Sequence, residues 1–164
     1  VVQKDTVEKF GKTAELLGEL PKESPFFYLM ETARNLCLVL EKKADLGREI
    51  RLAYSQEDKE TLQEIANIKI PVLLQRLQDF YQSFRTQWNL ENKSFGFEVQ
   101  TVRIGGLLQR LKDVQEILNA YLREEIPGIA ELNEPQKAFH YFEQNEIRSL
   151  NYNLWTDIVS PSKI

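Results

Sequence analysis

Residues 59–88 read KETLQEIANIKIPVLLQRLQDFYQSFRTQW, and their spacing decides the fold class. Apolar side chains fall at Leu62, Ile65, Ile68, Val72, Leu73, Leu77, Phe80, Tyr81, Phe84 and Trp88, mostly in steps of three and four. That period draws one stripe along an α-helix, whereas a half-buried strand would need strict alternation. Pro71 stands inside the pattern, where its ring removes a hydrogen bond and crowds the preceding turn. Either a kink or two helices meeting end to end would accommodate it, and the clean resumption of the stripe favours the kink. Ser55 with Asp58 has the spacing of a capping box, Asp replacing Glu, and is expected to open this helix.

The same period extends to both sides. Ser24 as N-cap and Pro25 at the first helical position predict a preceding helix. Its stripe runs through Phe26, Leu29, Met30, Ala33, Leu36, Cys37, Leu40, Ala44, Ile50, Ala53 and Tyr54. Gly47 lies on that stripe and reads as a place of close helix contact rather than a break. Asn89 to Gly96 reads as a loop. A third helix follows with Val102, Leu107, Leu108, Leu111, Val114, Leu118, Tyr121 and Leu122, stopping before Pro127-Gly128. Helices of about thirty residues are roughly 45 Å long, and short connections make them antiparallel neighbours.

The expected fold is therefore all-α, an antiparallel bundle of three long helices with shorter terminal helices and an extended C-terminal tail. As one domain over 1–164, it divides into a lead-in (1–24), a three-helix core (25–126) and a C-terminal helix and tail (127–164). In the lead-in, Asp5 to Leu20 makes a short helix with Val7, Phe10, Ala14 and Leu17 on one side. Beyond Pro127, Ile129 to Asn145 reads as helix broken at Pro135. The tail carries Leu154, Trp155, Ile158 and Val159, too apolar for a free end.

Composition narrows the function. The chain has 164 residues, 42% hydrophobic and 28% charged, which is ordinary for a globular domain with a real core. A net charge of -4, with Lys and Arg interspersed among acids, gives no field to attract nucleic acid. No apolar stretch approaches the roughly 20 residues that span a bilayer, so no membrane partner is expected. No signal peptide is visible, and the expectation is a soluble chain of the bacterial cytoplasm, with export of a parent left open. Val1 in place of Met suggests a processed or excised segment.

No constellation for chemistry assembles. One Cys and one His cannot build an N/S zinc site, and no EF-hand spacing or Glu-x-x-His pair occurs, so neither metal nor cofactor is expected. Cys37, inside an apolar run, reads as a buried inert thiol. His140 stands among Phe139, Tyr141 and Phe142, a setting of packing rather than of a base. Gly105-Gly106 lacks the strand and Lys of a phosphate cradle. Each glycine costs about 1 kcal/mol relative to alanine inside a helix, so close approach of another backbone or ring is the expected compensation.

The most distinctive stretch runs from Arg85 through Trp88 and Glu98 to Arg103. These four could lock a helix–helix corner, or dock another domain, since Trp and Arg are favoured interface anchors. Gly105, Gly106 and Trp155 complete the candidate packing or interface residues.

At these residues a resemblance enters. Trp88-Asn89-Leu90-Glu91-Asn92-Lys93-Ser94-Phe95-Gly96-Phe97-Glu98-Val99, with Arg103-Ile104-Gly105-Gly106-Leu107-Leu108-Gln109-Arg110, resembles the C-terminal helical domain of bacterial family 20 glycoside hydrolases. Looser likeness continues upstream through Lys43–Gly47 and Ile50–Tyr54, and downstream through Leu154–Val159. The resemblance implies a catalytic (β/α)-barrel upstream that removes terminal β-linked N-acetylglucosamine or N-acetylgalactosamine. There the sugar's own acetamido oxygen attacks, oriented by an adjacent Asp-Glu pair. None of the six aspartates here is followed by glutamate, so no catalytic residue is carried across. The expected role is accessory: packing on the barrel of the same polypeptide, or contributing to a homodimer of the parent. The alternative is a free-standing helical module that binds a partner helix.

Overall fold

A computed structural model describes residues 4–134, and every regular element among them is helical. The chain divides into two units, residues 1–129 and 130–164. The first holds α1 (Lys4–Gly18), α2 (Phe27–Lys43), α3 (Leu46–Ser55), α4 (Lys59–Glu64), a π-helical turn (Ile65–Lys69), α5 (Ile70–Glu91) and α6 (Phe97–Leu122). In the second, the described part is a single turn, α7 (Ala130–Asn133). His140, the helix expected beyond Pro135 and the apolar tail with Trp155 lie outside the described residues.

The all-α expectation holds, and its long helices are present with more articulation than the stripes revealed. The first breaks at Ala44-Asp45. Asp45 does not cap α3; its carboxylate turns instead to Arg48, whose Nε donates at 2.6 Å. Gly47 then falls in the first turn of α3, exposed, with nothing among the described residues within 4 Å of where a Cβ would be. The close contact expected there is absent, and a flexible residue beside a break is the simpler account of its position. Because the apolar stripe passes through the break almost in phase, periodicity could not show it.

Helix starts also differ in detail. Ser24 Oγ accepts from the Phe26 N–H at 3.3 Å, but α2 begins only at Phe27. The second long helix is capped by Asp58 itself, which accepts from the Thr61 N–H at 3.0 Å, while Ser55 belongs to the end of α3. Between them the chain reverses through a Schellman turn. The Asp58 N–H donates to the Ala53 carbonyl and the Glu57 N–H to the Tyr54 carbonyl, with Glu57 left-handed at φ 55°. The end of α6 repeats it: Glu125 to Ala120, Glu124 to Tyr121, and Glu124 at φ 62°.

Pro71 is accommodated by the π turn rather than by a severed helix. In that wider register the Ile70 N–H donates to the Ile65 carbonyl. The next carbonyl, Ala66, would look to residue 71 for its donor, and proline has none. The Gln115 amide on α6 fills the place at 2.7 Å. One side chain from a neighbouring helix thus satisfies the carbonyl that the proline leaves open, at the level of Ile65, Ala66 and Ile70, which are fully buried.

The core concentrates around that turn. Leu62, Ile65, Ile70, Leu73 and Leu118 are the largest fully buried side chains, joined by Leu46, Ile50 and Ala53 of α3 and Leu111 of α6. Burial of each of these Leu and Ile side chains contributes about 1.5–3 kcal/mol, against about 0–1 for an exposed ion pair, so they outweigh the surface pairs of α1. Helices α2 and α5 run antiparallel, tied by polar contacts. Arg76 reaches the Leu38 carbonyl at 2.7 Å and Glu41 at 2.6 Å, and Asn35 donates to Ser83 at 3.1 Å. Tyr28 donates to Glu91 at 3.1 Å at the far end.

Candidate domain-packing surface

The turn from α5 into α6 is organised by rings. Tyr81, Phe84 and Trp88 descend one face of α5, and Phe97 at the start of α6 packs against all three, with centroids 5.5, 5.7 and 5.7 Å away. Phe97 is buried to 8% exposure, and it is the residue that the sequence reading did not single out. A Phe one place past a glycine, a helical turn or two beyond an aromatic stripe, was the available signal. Such edge and tilted pairs add about 0.5–1.5 kcal/mol beyond area burial.

Trp88 spends its polar edge locally: its Nε1 donates to the Lys93 carbonyl at 2.9 Å. Glu98 does likewise, accepting from the Gly96 N–H at 2.8 Å. Gly96 sits at φ 97°, and a Cβ there would lie 3.3 Å from the Trp88 ring. Trp88 and Glu98 therefore bond separately to the backbone of the corner. Arg85 is exposed on α5 and Arg103 half-buried on α6.

Gly105 and Gly106 are exposed, and among the described residues nothing lies within 4 Å of a Cβ at either. The close packing expected on them does not come from these helices. Around the corner several apolar side chains face outward, with Phe95 87%, Leu90 63% and Phe26 59% exposed.

Several titrating groups are held by local partners. Glu124 and Glu125 are held below the ordinary carboxylate range by hydrogen bonds from Lys59 and Arg123, and Asp58 by its bonds from Thr61. A carboxyl poised to donate a proton would move the other way. Burial pushes the half-buried Cys37 thiol up, away from the thiolate that reacts. Among the described residues no group of three His, Cys, Asp or Glu side chains is placed to hold a metal ion. No helix among them is long and apolar enough to cross a membrane.

Compared with known families, residues 1–151 match the model of the glycoside hydrolase 20C C-terminal domain. The match takes in α1, upstream of the stretches that carried the resemblance, and ends before Trp155. No curated protein matches the chain.

Proposed function

Because the chain belongs to the family of glycoside hydrolase 20C C-terminal domains, we propose that it is the non-catalytic accessory domain of a β-N-acetylhexosaminidase. The observation that carries this reading is the family match over nearly the whole chain. It is supported by six aspartates of which none precedes a glutamate, so the Asp-Glu pair of substrate-assisted hydrolysis must come from elsewhere in the enzyme. The catalytic domain, upstream in the same polypeptide, removes terminal β-linked N-acetylglucosamine or N-acetylgalactosamine. The helical domain braces it, and Arg85, Arg103, Gly105 and Gly106 are proposed to face that neighbour or a second copy of the enzyme. Trp88 and Glu98 hold the corner on which those contacts depend.

The test begins with the gene upstream of Val1, which should encode a barrel with the Asp-Glu pair. The whole polypeptide should then cleave a chromogenic N-acetylhexosaminide while this chain alone does not. A polypeptide ending before Val1 should lose activity at a lower temperature than the whole. Robust hydrolysis by this chain alone would sink the proposal.

A further inference from the structure

The outer face of the helix around Pro71 is unlike the rest of the surface. Between Ala66 and Asp79 the exposed residues are Asn67, Ile68, Pro71, Val72, Gln75 and Gln78, none of them charged, in a chain that is 28% charged, with exposed Glu64 and Asp79 bordering the stretch. The cations of this stretch are paired, Lys69 with Glu64 at 3.8 Å among others. Lys69 pairs with Glu49 of α3 at 3.2 Å and Arg76 with Glu41 of α2 at 2.6 Å. Ile68 and Val72, one turn apart, remain 59% and 39% exposed. Depletion of charge around exposed aliphatic side chains is the compositional mark of an interface core rather than of a solvated face.

The course of the chain indicates the occupant. A Cβ on Gly11 would lie 3.7 Å from Glu41, and one on Gly18 would lie 3.1 Å from Arg34, so α1 runs antiparallel to α2. The start of α1 therefore lies at the end of the bundle where Glu41 meets Arg76 and Glu49 meets Lys69. Ile68, Pro71 and Val72 belong to that same end. Leu90, in the last turn of α5, and Phe95, just past it, lie at the other end, about 33 Å away for its 22 residues. A domain that precedes this one in the polypeptide joins at the start of α1, at the same end of the bundle as the uncharged face.

We propose that this face, centred on Ile68, Pro71 and Val72, seats the catalytic domain that precedes the chain. The inference rests on the accessory-domain function and adds the surface through which it acts. Hydroxyl-radical footprinting of the whole polypeptide tests it, with Leu90 and Phe95 as exposed references in the same molecule. Ile68, Pro71 and Val72 should label several-fold more slowly than their exposure in this chain implies, at every protein concentration. The double variant Ile68→Lys/Val72→Lys should lower the temperature at which the whole enzyme loses activity, and Phe95→Lys should not.

Labelling of Ile68 and Val72 as fast as Leu90 overturns the placement. So does protection that vanishes on dilution, which would assign the face to a second copy. Absence of a catalytic domain upstream, or no loss of stability when this domain is deleted, fails the accessory function itself. The two failures are thereby distinguished.

Discussion

Gly96 and Glu57 show how much single backbone positions matter here, because both carry a positive φ and only one is a glycine. Replacing Gly96 by alanine puts a Cβ 3.3 Å from the Trp88 ring in a conformation that L-residues avoid. Gly96→Ala should destabilise the fold by about 1–2 kcal/mol, measured by urea unfolding, with Trp88 fluorescence reporting the loosened corner. Glu57 occupies the left-handed position of its Schellman turn, where glycine is the usual resident. Glu57→Gly should therefore stabilise the chain by about 1 kcal/mol in the same assay, and a loss of stability would show that Glu57 has a further role.

At the scale of elements, Gln115 and Pro71 form a coupled pair. Gln115→Leu removes the side-chain hydrogen bond to the buried Ala66 carbonyl and should cost about 1–3 kcal/mol. In a Pro71→Ala background, where residue 71 regains its N–H, the same change should cost less; equal costs would mean that the two do not share the Ala66 carbonyl. The clamp between α2 and α5 adds a pH dependence. Burial by itself pushes the Glu41 carboxyl up, but the bonds and charges of Arg76 and Lys42 outweigh it and hold it below its ordinary 4.5. Its contribution is thus present above that value and disappears as pH falls through the lowered one. Unfolding free energy should decline on acidification below pH 4.5, and Glu41→Gln should flatten that part of the profile.

These elements also mark what the sequence could convey. The stripe from Leu62 to Trp88 revealed a helix through Pro71, because burial follows period. It could not reveal that a π turn with help from Gln115 is the accommodation, since that depends on a side chain 49 residues away. The break at Asp45 was hidden by a stripe that stays nearly in phase. The ring cluster was half legible: Trp88 drew notice by its rarity, whereas Phe97 gains its place only when α6 folds back on α5.

For the whole molecule, the Lys59–Glu124 pair brings the ends of α3 and α6 together, each closed by a glutamate in the same unfavourable conformation. A helix C-terminus carries roughly half a negative charge, and Lys59, drawn by both Glu124 and Glu57, offsets these two ends and their carboxylates. Ionic strength should therefore divide the benefit of Glu57→Gly into its parts. The gain from relieved backbone strain will persist in strong salt, and the offsetting loss of Glu57's attraction to Lys59 will fade as mobile ions screen it.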